Sequence, residues 1–189
     1  MRKFIHKYFC LSFVCLLANN GVANTKADAS LYDKEQARKI DSFQVPKDFK
    51  GSLYSRQGQV KNPMAICFDS KGRLLVTEIH RWRHGVDDIR HRPYMLMDDI
   101  KSESNEDRLK MYQKHYDKHP ESHYTSVSDR IVVLNDDDQD GRADTSKVYS
   151  DDFNDILDGP GLGVIERDDK IYYTSIPHLW MLEDEDKDG

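Results

Sequence analysis

Arg130-Ile-Val-Val-Leu-Asn-Asp-Asp-Asp-Gln-Asp-Gly141 and His178-Leu-Trp-Met-Leu-Glu-Asp-Glu-Asp-Lys-Asp-Gly189 are two versions of one pattern, a short apolar strand running into an Asp-rich loop, set 48 residues apart. A second pair is set 97 residues apart: Asn62-Pro-Met-Ala-Ile66 with Gly72-Arg-Leu-Leu-Val-Thr-Glu-Ile79, against Gly159-Pro-Gly-Leu-Gly163 with Asp169-Lys-Ile-Tyr-Tyr-Thr-Ser-Ile176. A repeat unit of 48 residues, whose first copy carries a 49-residue insertion between its second and third strands, accounts for both spacings. Repeats of this length built from four short strands read as β-propeller blades.

The fold expected is therefore all-β, an N-terminal fragment of about two blades. The first blade spans 57–152 and the second, truncated, 153–189. In the first blade, strands are expected at Met64–Phe68, Arg73–Ile79, Ile131–Leu134 and Ser146–Tyr149, with a tight turn at Asp69–Gly72. Leu74-Leu-Val76 and Ile131-Val-Val133 are continuously apolar, as strands covered on both faces are. The insertion, 81–128, is charged and has a helical middle. Ser104 and Asp107 resemble a capping box, Leu109, Tyr112 and Tyr116 share a face, and Pro120 ends the run; one amphipathic helix of about four turns is expected. Residues 24–56 form a lead-in that opens with a short helix. Since a propeller closes with roughly four to eight blades, two repeats are expected to be part of a longer protein.

The first 23 residues read as a secretory signal: Arg2, Lys3 and Lys7 precede the apolar run Tyr8–Ala18, and Gly21-Val-Ala23 offers small residues for cleavage. Asn19 and Asn20 close that run short of a membrane span, and neither Cys10 nor Cys15 follows a small residue as a lipid-anchored cysteine does. An exported protein, periplasmic, cell-surface or secreted, is expected. Export removes two of the three cysteines and leaves Cys67 in an apolar strand, with no disulfide. It also removes three basic residues and no acid, taking the formal charge from -6 to -9. So acidic a chain is not built for nucleic acid.

Asp136, Asp138, Asp140 and Asp144 occupy positions 1, 3, 5 and 9 of a loop with Gly141 at position 6, where a sharp turn lets oxygens wrap a calcium-sized ion. The main-chain carbonyl of Arg142 would serve as position 7. Position 12 is Lys147 instead of the bidentate Glu of an EF-hand, so the reading is a Ca²⁺ loop of another kind. Asp184, Asp186 and Asp188 repeat the first positions in the second copy. No Cys-x-x-Cys-His occurs, so haem has no site in this chain.

Six of eight histidines fall in or beside the insertion. His115, His119 and His123 are spaced by four, but Pro120 interrupts them and no zinc motif is completed. His80-Arg-Trp-Arg-His84 leaves the end of a central strand carrying Glu78. His80 is the candidate base, with Arg81 and Arg83 as contacts for an anion or a quinone. Equally open is that these residues anchor the insertion through ion pairs with Asp87, Asp88, Asp98 or Asp99.

Asn62–Glu78, Asn105–Tyr112, Ser128–Ile131, Asp136–Asp144 and Phe153–Gly159 together resemble the propeller of large secreted bacterial proteins of the membrane-bound-dehydrogenase and PVC-type haem-binding kind, over residues 45–189. That family is in turn similar to soluble quinoprotein sugar dehydrogenases. The resemblance implies a six-bladed propeller using pyrroloquinoline quinone and calcium to oxidise sugars or alcohols, and in the full-length parent a following cytochrome c domain or other electron acceptor. The reading beside it is non-enzymatic: a calcium-stabilised propeller binding a glycan or protein partner, with the insertion as its recognition surface.

Overall fold

The computed structural model describes residues 26–184, so the signal segment, Asp186 and Asp188 lie outside the described residues. Two antiparallel sheets make up most of it. β1 (Pro63–Phe68), β2 (Leu74–Glu78), β3 (Asp129–Asn135) and β4 (Thr145–Phe153) form a four-stranded sheet in chain order, and β5 (Gly161–Arg167), β6 (Lys170–Ser175) and β7 (His178–Glu183) a three-stranded one. Among the described residues the sheets do not close into a barrel or a propeller.

The strands form where apolar runs meet turn chemistry. Asp69 caps the β1–β2 turn, its carboxylate accepting from the amides of Lys71 and Arg73 and from Arg73 Nε, while Gly72 takes the positive φ of +81°. β2 and β3 pair without a break from Leu74↔Leu134 to Glu78↔Arg130. All of β2 is buried because both of its faces are covered. One face, with Leu75, Ile131 and Val133, packs with Phe153 against Val164, Ile171 and Tyr173 of the second sheet. The other, with Leu74, Val76, Val132 and Leu134, is covered by Val60, Ala143 and Tyr54. Burying each such side chain contributes about 1.5–3 kcal/mol. At the start of β5 no side chain fits: a Cβ on Gly161 would lie 1.5 Å from the Tyr173 hydroxyl oxygen of β6.

Ahead of the sheets, α1 (Lys26–Asp41) is the expected lead-in helix, longer than the sequence suggested. The insertion differs from the single helix expected. It holds a 3₁₀ turn (Ile89–His91) and three short helices, α2 (Leu96–Lys101), α3 (Asn105–Lys114) and α4 (Glu121–Thr125). The Ser104 cap forms as expected, accepting from the Asp107 amide. The chain leaves helical geometry at His115, five residues before Pro120, and α4 restarts immediately after that proline. Proline is excluded from a helix interior but is well suited to its start.

Because the strands alternate in direction, the first sheet has two distinct ends. The β1–β2 turn and the acidic β3–β4 loop share one; the insertion and the β4–β5 connection share the other. Five paired residues of β2 and β3 separate them by about 15 Å.

Candidate functional site

At the insertion end three carboxylates are buried, and each has named donors. Asp129 accepts the amides of His80 (2.6 Å) and Arg81 (2.8 Å) on one oxygen and that of Gly161 (2.8 Å) on the other. It thereby ties the exit of β2 to the entry of β5. Glu78 accepts from the Lys61 amide and from Arg130 Nε, each at 2.5 Å, and its second oxygen lies 2.9 Å from His80 Nε2. Burial pushes the Glu78 carboxyl up, but the bonds from His80, Lys61 and Arg130 outweigh it and hold the group below its ordinary value. Asp158 accepts from the Asp155 amide and lies 3.1 Å from His178 Nδ1.

Arg81 has no exposed surface. Its guanidinium donates to the main-chain carbonyls of Asp158 (2.6 Å), Tyr124 (2.7 Å) and Asp155 (2.9 Å). One side chain thus binds the end of the insertion to the β4–β5 connection. Burial lowers its pKa, and the charges of Asp158, Asp129 and Asp155 oppose that shift.

Of the residues singled out in the sequence, His80 sits at this end beside Glu78, and Arg81 is part of the interior. Arg83 stands on an exposed turn with Trp82 and His84, at a positive φ of +65°. The turn closes through the Arg83 amide to the Val86 carbonyl and the His84 amide to the Arg81 carbonyl. The anchoring role weighed for the basic residues of this turn falls mostly to other groups. Asp87 pairs with Arg92 and His123, Asp88 with Arg90, Asp98 with Lys114 and His115, and Asp99 with Arg108. His115, His119 and His123 go to separate partners: His115 lies 2.9 Å from Asp98, His119 3.3 Å from Arg92 and His123 2.7 Å from Asp87.

Pyrroloquinoline quinone is a tricarboxylate and needs several free cations. Arg81 is committed to carbonyls, Arg130 to Glu78, and Arg83 alone of the arginines just described stays uncommitted. The residues gathered at this end therefore do not fit the quinone.

At the opposite end, carboxylate oxygens of Asp136, Asp138 and Asp144 lie within 4.8 Å of one another, and this is the one such group of metal-ligating side chains among the described residues. Loop amides shape it. Asp140 N donates to Asp136 and Asp138, Gly141 N to Asp136, and Asp137 N to Asp144. Arg56 also reaches Asp144, at 3.2 Å. The Asp140 carboxylate turns aside to accept from the Arg142 amide, and the Arg142 guanidinium pairs with Asp33. Oxygen-only donors at this separation suit a hard cation of calcium size.

Asp129, Asp158 and His178 carry much of the insertion end, and the sequence reading passed over all three. The 48-residue repeat held a signal for the last: His178 stands where the first copy has Arg130, the residue that bonds Glu78.

Among the described residues no helix is long and apolar enough to cross a membrane. A family model described as a domain of unknown function (DUF7133) matches residues 35–189, and the chain belongs to that family. No curated protein and no solved structure matches the chain significantly.

Proposed function

We propose that this member of the family is an exported β-propeller module of the dehydrogenase type, stiffened by Ca²⁺ at one end of its blades and presenting a face for a sugar or alcohol at the other. The observation that carries the reading is the pairing of buried carboxylates with part-exposed imidazoles, Glu78 with His80 and Asp158 with His178, at the end where the insertion sits. A carboxylate beside an imidazole orients the ring and selects its tautomer, the arrangement a general base requires.

Blade architecture is supported by the four-stranded meander stacked face to face on a second sheet, and by the apolar residues left on the outer faces. Met64, Ile66 and Phe68 are exposed on one side and Ile165, Leu179 and Met181 on the other, as expected of blades awaiting neighbours. The Ca²⁺ reading is supported by the convergence of Asp136, Asp138 and Asp144. Oxidation of an alcohol releases a proton and a hydride; an imidazole at the insertion end would take the proton, while the hydride would need a two-electron acceptor held outside these residues, which would pass its electrons on to a cytochrome c domain or another acceptor. Trp82, half exposed beside Arg83 and His84, favours the second reading, a module that binds a glycan or protein without chemistry.

The test is dye reduction by the Ca²⁺-loaded protein over a panel of sugars and alcohols, with a soluble two-electron acceptor such as pyrroloquinoline quinone supplied and with binding followed in parallel. Substrate-dependent dye reduction lost in His80→Gln or His178→Gln supports the dehydrogenase. Saturable sugar binding without dye reduction supports the binding module. Absence of both overturns the proposal.

A further inference from the structure

The geometry points to His178, through its Nε2, as the position that accepts a ligand hydroxyl at the insertion end, with Asp158 as the positioning residue beneath it. The inference rests on the reading of that end as the ligand face and is common to its enzymatic and binding versions.

The two imidazole–carboxylate pairs are not equivalent. His80 turns Nε2 to Glu78, which leaves Nδ1, the nitrogen beside its own main chain, for anything outside. His178 turns Nδ1 to Asp158, which leaves the outer nitrogen. A carboxylate partner selects the tautomer that donates to it, so in neutral His178 the Nδ1–H donates and Nε2 carries the lone pair. Exposure separates the pairs again: the His178 side chain is 40% exposed against 21% for His80, while each carboxylate beneath is 1% exposed.

The carboxylates also differ in how far they are already engaged. Glu78 is shared with Arg130 and the Lys61 amide, so part of its charge is answered before His80 draws on it. Among the described residues Asp158 accepts from the Asp155 amide and His178 alone. Arg81 holds the Asp158 main-chain carbonyl, which fixes the carboxylate's place beneath His178. The Trp180 ring lies 5.3 Å from that of His178 and backs it from the core between the sheets, and Ile176 stands exposed at the turn into the same strand. An outward acceptor nitrogen with an exposed apolar side chain nearby suits a sugar or polyol, whose hydroxyl bonds the nitrogen while its C–H groups meet Ile176.

The experiment is nitrogen-edited NMR of the histidine rings in the full chain, titrated with glucose, methyl glucoside and glycerol. His178 is expected to carry its proton on Nδ1, and its ring signals to move saturably with at least one of the three. His178→Asn keeps a donor for Asp158 and lacks the outer nitrogen; it should melt with the wild type yet bind at least tenfold more weakly. Asp158→Asn should turn His178 into a mixture of tautomers. A proton found on Nε2, or unchanged sugar binding in His178→Asn, overturns the assignment. Ligand-induced shifts confined to His80 or Trp82 overturn His178 while leaving the ligand face standing; no shift anywhere overturns both.

Discussion

The two ends of the first sheet both gather aspartates and glutamates, and they treat them in opposite ways. At the insertion end Glu78, Asp129 and Asp158 are buried, and their oxygens meet main-chain amides, Arg130 or an imidazole. At the loop end Asp138 is exposed and Asp136 and Asp144 are partly so, held largely by amides of their own loop. A buried carboxylate must be satisfied by the fold itself. An exposed cluster of like charges is tolerated by water and strengthened by a cation. The acids of one end therefore contribute to folding directly, and those of the other through whatever binds them.

The comparison is broken most severely at Arg81. Arg81→Met leaves three carbonyls without a donor and Asp129 and Asp158 without their neighbouring guanidinium, and should cost about 3–5 kcal/mol in urea unfolding. The equivalent change at the loop end, Arg56→Met, removes a half-exposed pair with Asp144 and should cost no more than about 1 kcal/mol. Equal losses would show that the two ends do not differ in the way described.

Next comes the cation. Calcium at a hundredfold excess over its dissociation constant should stabilise the protein by about 2.7 kcal/mol, read as a rise in Tm. Asp136→Asn should abolish most of that rise while leaving the calcium-free Tm near the wild type. Between the sheets, the Tyr173 hydroxyl is buried without a partner, and burial, reinforced by Asp129 and Asp158, pushes its pKa well up. Tyr173→Phe should leave stability unchanged or raise it by about 1 kcal/mol, whereas Gly161→Ala should lower it by about 1–3 kcal/mol through overpacking.

The smallest effect is that of pH on the insertion. Burial, helped by Arg92 and His123, holds His119 below its ordinary value. Its stabilising contribution is therefore complete above pH 6.5 and fades as pH falls from there through the folded value. Arg92 can only donate, so the His119 Nδ1 it faces at 3.3 Å accepts while neutral and loses that bond on protonation. Glu78 and Asp87 are also held low in the fold, and their contributions fade at more acid pH, below the ordinary carboxylate range. Hydrogen exchange between pH 7 and 5 should show α4 opening before the sheets, and His119→Gln should flatten the difference.

The strands were the legible part of this fold. Apolar runs bounded by Asp69–Gly72 and by the acidic loop place β1, β2 and β3 within a residue or two of their observed limits, because two-sided burial leaves a strong local pattern. β4 extends four residues past the expected Tyr149, through Ser150, Asp151 and Asp152, since an outer strand tolerates polar side chains and hides its end. The insertion was the least legible. Its helices are short and are held by pairs such as Asp98–Lys114 and Asp87–His123, contacts between residues far apart that no periodicity reports. At the site, His80 stood out because it follows a buried strand. Arg81 suggested a ligand contact because a basic residue beside a tryptophan looks the same in sequence whether it faces water or three carbonyls. Asp129 and Asp158 gave no local hint of burial, in a chain with 34 acidic residues.

The difference between the ends is tested most directly by following main-chain amide and histidine-ring signals of the full chain while calcium and then glucose are added. Calcium should move the amides of Asp137, Asp138 and Gly141 and leave His178 where it is; glucose should move His178 and leave those amides unchanged. Calcium shifting His178, or glucose shifting the acidic loop, would contradict the separation of a cation-stiffened end from a ligand face.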